Sequence, residues 1–326
     1  MGMVVNGQWQ DKPQPVDEAG NFRREDAKFR NWITSDGSAG PHGEGGFKAE
    51  PDRYHLYVSL ACPWAHRTLM MRAFKGLERM IDVSVVHWEM REHGWTFADG
   101  EDVVADPIHN AKFMHQVYTA AKADYTGKVT VPTVWDKQKG TIASNESSEI
   151  IRMFNSAFDG VGARPGDYYP EALRAEIDRV NTRVYHDINN GVYKSGFAKS
   201  QAAYDKAVTA LFDALDWAED LLGERRYMAG DTFTEADIRL FTTLIRFDPV
   251  YHTHFKCNKR RLSEFPRLWA LTKEIYAMPG VAETTNFDHI RRHYYESHLD
   301  INPMGIVPLM PEMDLSEVSG VQRLSA

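Results

Sequence analysis

An α/β domain followed by an all-α C-terminal domain is what this chain predicts, on three observations. Residues 54–86 run strand, helix, strand, the pattern of a βαβ unit. A strong β run, VTVPTVW at 129–135, and a short strand at 141–143 come after it. Beyond DGVGARPGDYYP at 159–170, a Gly/Pro/Asp stretch that suits a linker, the apolar residues recur at helical spacing. The predicted division is an arm at 1–50, an α/β domain at 51–158 carrying an insertion at 87–127, the linker at 159–170, a helical domain at 171–287 and a tail at 288–326.

The arm is rich in Gly, Asp, Asn and Arg, with Phe22, Phe29, Trp32 and Ile33 scattered through it. That composition suits a segment lying over the body and tied down by a few aromatic anchors. Tyr54, Leu56 and Val58 alternate, predicting a short half-buried strand, and Leu69, Ala73 and Leu77 then recur every four residues as a helix. Pro63 suits the first helical position, where a missing N–H costs nothing. Cys62 therefore stands just outside a helix amino terminus, facing unpaired amides and the positive end of the macrodipole. Such placement favours thiolate over thiol and lowers a cysteine pKa from about 8.5 toward roughly 3.5–7.5. A buried cap residue is the plainer alternative, but Ser, Thr, Asp and Asn are the good caps, so a reactive thiol is the expectation. His66 and Arg67 place positive or potentially positive groups where the dipole disfavours them, and a thiolate or a ligand carboxylate would balance them. For Arg67 an ordinary ion pair with an acidic residue serves as well. A dithiol oxidoreductase would carry a second cysteine at position 65; this chain has Ala65, so a mixed disulfide at Cys62 must be resolved by a thiol from outside.

Ile81 to Val86 is the next buried strand. The insertion breaks the α/β rhythm, with one helical piece around Lys112–Lys122 and two tryptophans, Trp88 and Trp95. A loop tryptophan either packs on the body or closes over a ligand, and position does not separate the two. Pro132 interrupts its β run and needs a strand start, an edge or a cis bond with Val131; a cis bond leaves the preceding backbone able to pair with an extended peptide. In SNESSEIIRMF, Ser144 or Asn145 is the expected helix cap, with Glu146 and Ser147 in the first turn. A hydroxyl among the amides of a helix start suits a carboxylate, and Glu146 suits an ammonium; capping alone would also account for these residues. In the helical half, Glu171–Tyr185 and Ala202–Leu222 are helices separated by GVYKSGF at 191–197, which breaks the helix and presents Tyr193. Thr234 and Asp237 form a capping box ahead of an apolar helix, Pro266 starts another, and a proline-punctuated tail (NPMGIVPLMPEMD) wraps the surface.

Composition excludes several classes of function. The charge is negative, 38 Lys and Arg against 46 Asp and Glu, which argues against general nucleic-acid or anionic-membrane binding. The Lys256, Lys259, Arg260, Arg261 run is a local basic patch of the kind usually solvated. No stretch of about 18 apolar residues predicts a membrane span, and MGMVVNGQWQDKPQ lacks the regions of a signal peptide. Two cysteines do not make a disulfide framework, which fits a reducing cytoplasm, with Cys257 a buried thiol.

In this order, the helix-capping cysteine, the Val131-Pro132 strand, the Glu146-Ser147 helix start and an all-helical half with a capping box resemble the glutathione transferases. The likeness spans roughly residues 50–290. CPWAHR (62–67), Trp95, VPTVWD (131–136), NES (145–147), RFDPVYHTHFKCN (246–258) and HYYESH (293–298) narrow it to the Xi class, the glutathionyl-hydroquinone reductases. The omega class shares the cysteine but is shorter. The resemblance implies a thioredoxin-like N-terminal domain, Cys62 as nucleophile, and glutathione as co-substrate with no metal. It implies Val131 pairing with the cysteinyl part of glutathione, Glu146 and Ser147 holding its γ-glutamyl end, Trp95 covering the tripeptide and Lys128 at a ligand carboxylate. Tyr193, Tyr251 and Tyr294 would line the aromatic-substrate pocket, and the protein would be a homodimer acting on glutathionylated hydroquinones. Competing expectations are an omega-like thiol transferase, a conjugating transferase that activates glutathione's own thiol, and a binding module without chemistry; a complete site argues against the last.

Overall fold

The computed structural model describes residues 2–11 and 16–315. They form two compact units. The first gathers residues 2–11, 25–166 and 284–299; the second gathers 16–24, 167–283 and 300–315. Part of the expected arm, residues 16–24, thus belongs to the helical unit, and residues 284–299 of the expected helical domain and tail belong to the α/β unit.

In the first unit the chain opens as a hairpin, β1 (Gly2–Val5) and β2 (Gln8–Asp11), with Asn6 and Gly7 at positive φ in the turn. β1 also pairs with the short β5 (Gly127–Lys128). The central sheet has strand order β4-β3-β6-β7, with β3 at Tyr54–Val58, β4 at Ile81–Val85, β6 at Thr133–Asp136 and β7 at Thr141–Ser144. β3 and β4 are parallel, joined by helix α1 (Pro63–Phe74), which is the βαβ unit read from the pattern. β6 and β7 add antiparallel. α1 packs against α3 (Ser147–Ser156), and α2 (Met114–Ala121) packs on β7.

β3 differs from the expected half-exposed strand: all five residues are buried. Residues 86–113 and their neighbours cover the side that alternation assigns to solvent. Tyr57 packs edge-on against Phe97 and its hydroxyl donates to Asp106 at 2.7 Å, while His55 Nε2 pairs with Ser84 at 2.8 Å. Asp106 in turn accepts from the amides of Ile108, His109 and Ala111, which fixes this part of the excursion to the sheet. Alternation here separates two buried layers, one of them polar at its tips.

The arm is tied down by more than aromatic anchors. Phe29 does stack on Tyr125, at 5.5 Å between ring centres. In addition, residues 29–31 lie extended beside β7, with Asn31 N–H donating to Ala143 and Asn145 N–H donating to Phe29. Arg53, 7% exposed, holds the fully buried Asp136 through Nε and Nη2 and reaches Gly46 O at 2.7 Å. At the far end of the unit, the buried Lys75 ammonium donates to Gly166 O and pairs with Asp159, so much of the expected linker is bound to this unit.

The second unit is helical: α4 (Arg174–Arg183), α5 (Gly191–Gly196), α6 (Gln201–Glu224), α7 (Glu235–Leu244) and α8 (Pro266–Tyr276), with wide helical turns at Val184–Asn189 and Phe247–Tyr251. The capping box ahead of α7 is formed as expected, Asp237 accepting from Thr234 N–H at 2.9 Å and from Met228 N–H at 2.8 Å. GVYKSGF is not itself the helix break; the interruption falls at its end, between Gly196 and Gln201. Residues 191–196 are helical and Tyr193 is buried, because the two glycines serve close packing. A Cβ on Gly196 would fall 2.2 Å from the Phe255 ring, and one on Gly191 would touch Leu211. The last helix, α9 (Phe287–Ser297), belongs to the first unit. It clasps the excursion: Glu296 accepts from the Trp88 indole at 2.9 Å, and Ser297 accepts from Met90 N–H.

Candidate active site

Pro63 begins α1, and Cys62 precedes it in extended conformation as the N-cap. Its carbonyl takes the first helical bond, from His66 N–H at 3.0 Å, while Sγ lies 3.4 Å from Val131 O, to which the thiol donates. Cys62 is partly exposed and Cys257 fully buried, and neither is in a disulfide. Burial pushes the Cys257 thiol up to about 12, leaving it a thiol at any physiological pH. Of the two sulfurs, only that of Cys62 meets solvent and a helix amino end together.

The Val131-Pro132 bond is cis, and β6 starts at Thr133, just after it. The next segment is the start of α3. Neither Ser144 nor Asn145 is its cap: Glu146, extended at φ −104° and ψ 107°, fills that place, its carboxylate accepting from Ser148 N–H at 3.0 Å and Ser148 Oγ–H at 2.7 Å. Ser144 instead accepts from Glu146 N–H, and Asn145 turns inward. Ser147 is the first helical residue, with the Arg67 guanidinium 3.5 Å from its hydroxyl. Arg67 is nearly fully buried and lies over the Trp64 ring at 4.5 Å. His66 turns to the hydroxyl of Thr284 at 3.0 Å. α1 thus carries the sulfur at its tip and a buried cation one turn on, beside the α3 amino end.

Trp95 is buried and stacks on His293 of α9, ring centres 4.7 Å apart. His293 Nδ1–H donates to Trp88 O at 2.7 Å, which fixes the imidazole behind the indole. Lys128 lies on β5, where its carbonyl accepts from Tyr125 OH. Tyr193 and Tyr251 come together in the second unit, their rings 6.1 Å apart and each 5.6 Å from Phe255. Tyr294 is on α9 in the first unit, edge-on to His293 and His298.

Sequence reasoning missed Asn145 as more than a cap and the stacking of His293 on Trp95. A residue that acts through another's backbone leaves no spacing signal; only the HYYESH run marked the neighbourhood of His293. Among the described residues no group of three or more His, Cys, Asp or Glu side chains is placed to hold a metal ion.

The chain matches the glutathione S-transferase N-terminal domain over residues 61–157 and the C-terminal domain over residues 201–274. It is 56% identical to glutathionyl-hydroquinone reductase YqjG of Escherichia coli over 322 residues, covering 98% of each chain. It is 52% identical to glutathionyl-hydroquinone reductase PcpF of Sphingobium chlorophenolicum, covering 97% of this chain and 98% of that one. A glutathione-bound structure of YqjG superposes with a TM-score of 0.90 at 55% identity over 97% of both chains, and a Xi-class transferase from Natrialba magadii with 0.89 at 43% identity, covering 97% and 96%. With its cysteine at the tip of α1 and relatives matched from end to end, the chain belongs to the Xi class of the glutathione transferases, the glutathionyl-hydroquinone reductases.

Proposed function

We propose that this chain reduces glutathionyl-hydroquinones to hydroquinones, with glutathione as co-substrate and Cys62 as nucleophile. The observation that carries the assignment of the nucleophile is the partly exposed Cys62 sulfur at the amino end of α1, 3.4 Å from Val131 O, with Ala65 where a resolving cysteine would stand. The thiolate attacks the sulfur of the glutathionyl-hydroquinone. An S–S bond forms, the carbon–sulfur bond breaks, and the aromatic carbon keeps the electron pair and takes a proton from a nearby acid. A second glutathione, as thiolate, attacks the mixed disulfide, freeing Cys62 and leaving as oxidised glutathione. Kinetics are then ping-pong.

Glutathione is assigned to the groups around that sulfur. The Val131 backbone pairs with its cysteinyl unit, and the amides at the start of α3 with Ser147 take the γ-glutamyl carboxylate. Glu146 takes the ammonium, Trp95 covers the peptide, and Lys128 serves a carboxylate. Burial of Arg67 beside Ser147 supports an anion at this end. Tyr193, Tyr251 and Tyr294 are assigned to the aromatic part, with a phenol as proton donor; support for the first two is their clustering around Phe255. Homodimeric assembly and a cytoplasmic site of action belong to the same reading, and among the described residues no helix is long and apolar enough to cross a membrane.

Mass spectrometry after exposure to a glutathionyl-hydroquinone, without free glutathione, tests the chemistry. One glutathione is expected on Cys62 and none on Cys257. Cys62→Ala should lose reduction while still binding glutathione; full activity in that variant would sink the mechanism. Chloronitrobenzene conjugation outrunning thiol transfer would favour a conjugating enzyme.

A further inference from the structure

α2 reaches the segments that carry Val131, Glu146–Ser147 and Trp95, and it does so mainly through one hydroxyl. Tyr118 is fully buried on α2. Its O–H donates to Thr130 O at 2.8 Å, and its oxygen accepts from Asn145 Nδ2 at 3.0 Å and lies 3.0 Å from Thr133 Oγ1. Thr130 O accepts a second bond, from Thr133 Oγ1–H at 2.8 Å. Asn145 is fixed from its other side, its Oδ1 accepting from Phe29 N–H at 3.1 Å. Thr130 directly precedes Val131, and Asn145 directly precedes Glu146 and Ser147. At the start of α2, Met114 N–H donates to Trp95 O at 2.9 Å.

One buried phenol thus joins two segments fifteen residues apart, which also meet directly through Asn145 Nδ2–H and Thr130 Oγ1 at 3.3 Å, and each is directly followed by a residue assigned to the tripeptide. A hydroxyl has one proton and two lone pairs, so one Tyr118 oxygen can satisfy a carbonyl and an amide together. Packed networks of this kind hold the groups they join at a set spacing. We propose that Tyr118, acting with Asn145, is a positioning residue that fixes the distance between the Val131 backbone and the α3 amino end, and so sets affinity for the glutathionyl moiety. The proposal rests on the reading of Val131, Glu146 and Ser147 as glutathione contacts. The bonds that hold the Cys62 backbone, from Cys62 N–H to Ser59 O and from His66 N–H to Cys62 O, lie within its own loop and helix, while its thiol donates to Val131 O.

Tyr118→Phe keeps the ring against Phe29 and Tyr125 and deletes only the oxygen. The expected result is a 5- to 20-fold rise in KM for glutathione and for the glutathionyl-hydroquinone, with kcat within about threefold. Calorimetry should give the same loss in affinity for S-methylglutathione. Asn145→Ala removes the other half of the bridge and should give the same split, so whichever variant folds decides. A fall in kcat at unchanged KM and unchanged S-methylglutathione affinity would mean a merely structural tyrosine and overturn the proposal. Glu146→Gln combined with Ser147→Ala is the control. If that double variant raises KM and Tyr118→Phe does not, the positioning role is wrong; if the double variant leaves KM unchanged, the glutathione assignment itself is wrong and the proposal falls with it.

Discussion

Replacing Arg53 by methionine should be among the more damaging single changes in the first unit. Arg53 is nearly buried and Asp136 wholly so, and the guanidinium gives the carboxylate three bonds of 2.6 to 3.1 Å. Removing one partner of a buried pair costs about 3–5 kcal/mol, because the other charge is left uncompensated. Asp136 keeps two backbone amides, those of Gln138 and Lys139, which argues for the lower end of that range. Gly46 O loses its 2.7 Å partner and adds about 1 kcal/mol, the small end of the cost of an orphaned buried acceptor. Lys48 O is spared, since Tyr54 OH also donates to it. The sum is about 4 kcal/mol, measurable as a lower urea midpoint at unchanged m. Asp136→Asn added to Arg53→Met removes the stranded charge and should recover about half the loss. Limited proteolysis supplies a second reading: with Arg53 gone, cleavage within SDGSAGPHGEGG (residues 35–46) should precede global unfolding. A cost under about 1 kcal/mol, or a double variant no better than the single, would refute the argument that this pair holds arm and sheet together.

Burial lowers the His55 pKa to about 4, with Asp106 and Asp82 opposing. The folded value lies below the ordinary histidine value of 6.5, so between pH 6.5 and about 4 the unfolded chain binds a proton that the folded chain does not, and stability falls as pH falls through that window. At about 1.4 kcal/mol per unit the full effect is up to about 3 kcal/mol; His55→Asn should flatten that part of the stability–pH curve, and an unchanged slope would count against it. Gly196→Ala should destabilise by about 1–3 kcal/mol through overpacking against Phe255, despite alanine's better helix propensity, and an equal or higher urea midpoint would contradict the packing argument. Since Tyr193 and Tyr251 pack on Phe255, their assignment to the aromatic part of the substrate predicts that the same variant raises KM for the glutathionyl-hydroquinone while leaving S-methylglutathione binding unchanged.

By itself the sequence determined the β3-α1-β4 succession and the place of Cys62 at the tip of α1. Period-4 apolar spacing after a period-2 run specifies β3-α1, a proline at the first helical position specifies where α1 begins, and Thr234 with Asp237 specifies the start of α7; each is a contest decided within a few residues. The position of Cys62 as the cap of α1 was legible for the same reason, as was Ala65 three residues on. Only the tertiary structure decided what those elements meet. Alternation in YHLYV cannot say whether a second layer covers the strand, and here it does. The glycines of GVYKSGF look like breaks until Phe255 is seen where a Cβ would stand. Local preference placed a cap at Ser144 or Asn145, but Asn145 is drawn inward to Tyr118 and Phe29, leaving Glu146 to cap α3. Period and capping depend on neighbours in sequence, whereas burial and the joining of Thr130 to Asn145 through Tyr118 depend on neighbours in space, which chain order does not encode.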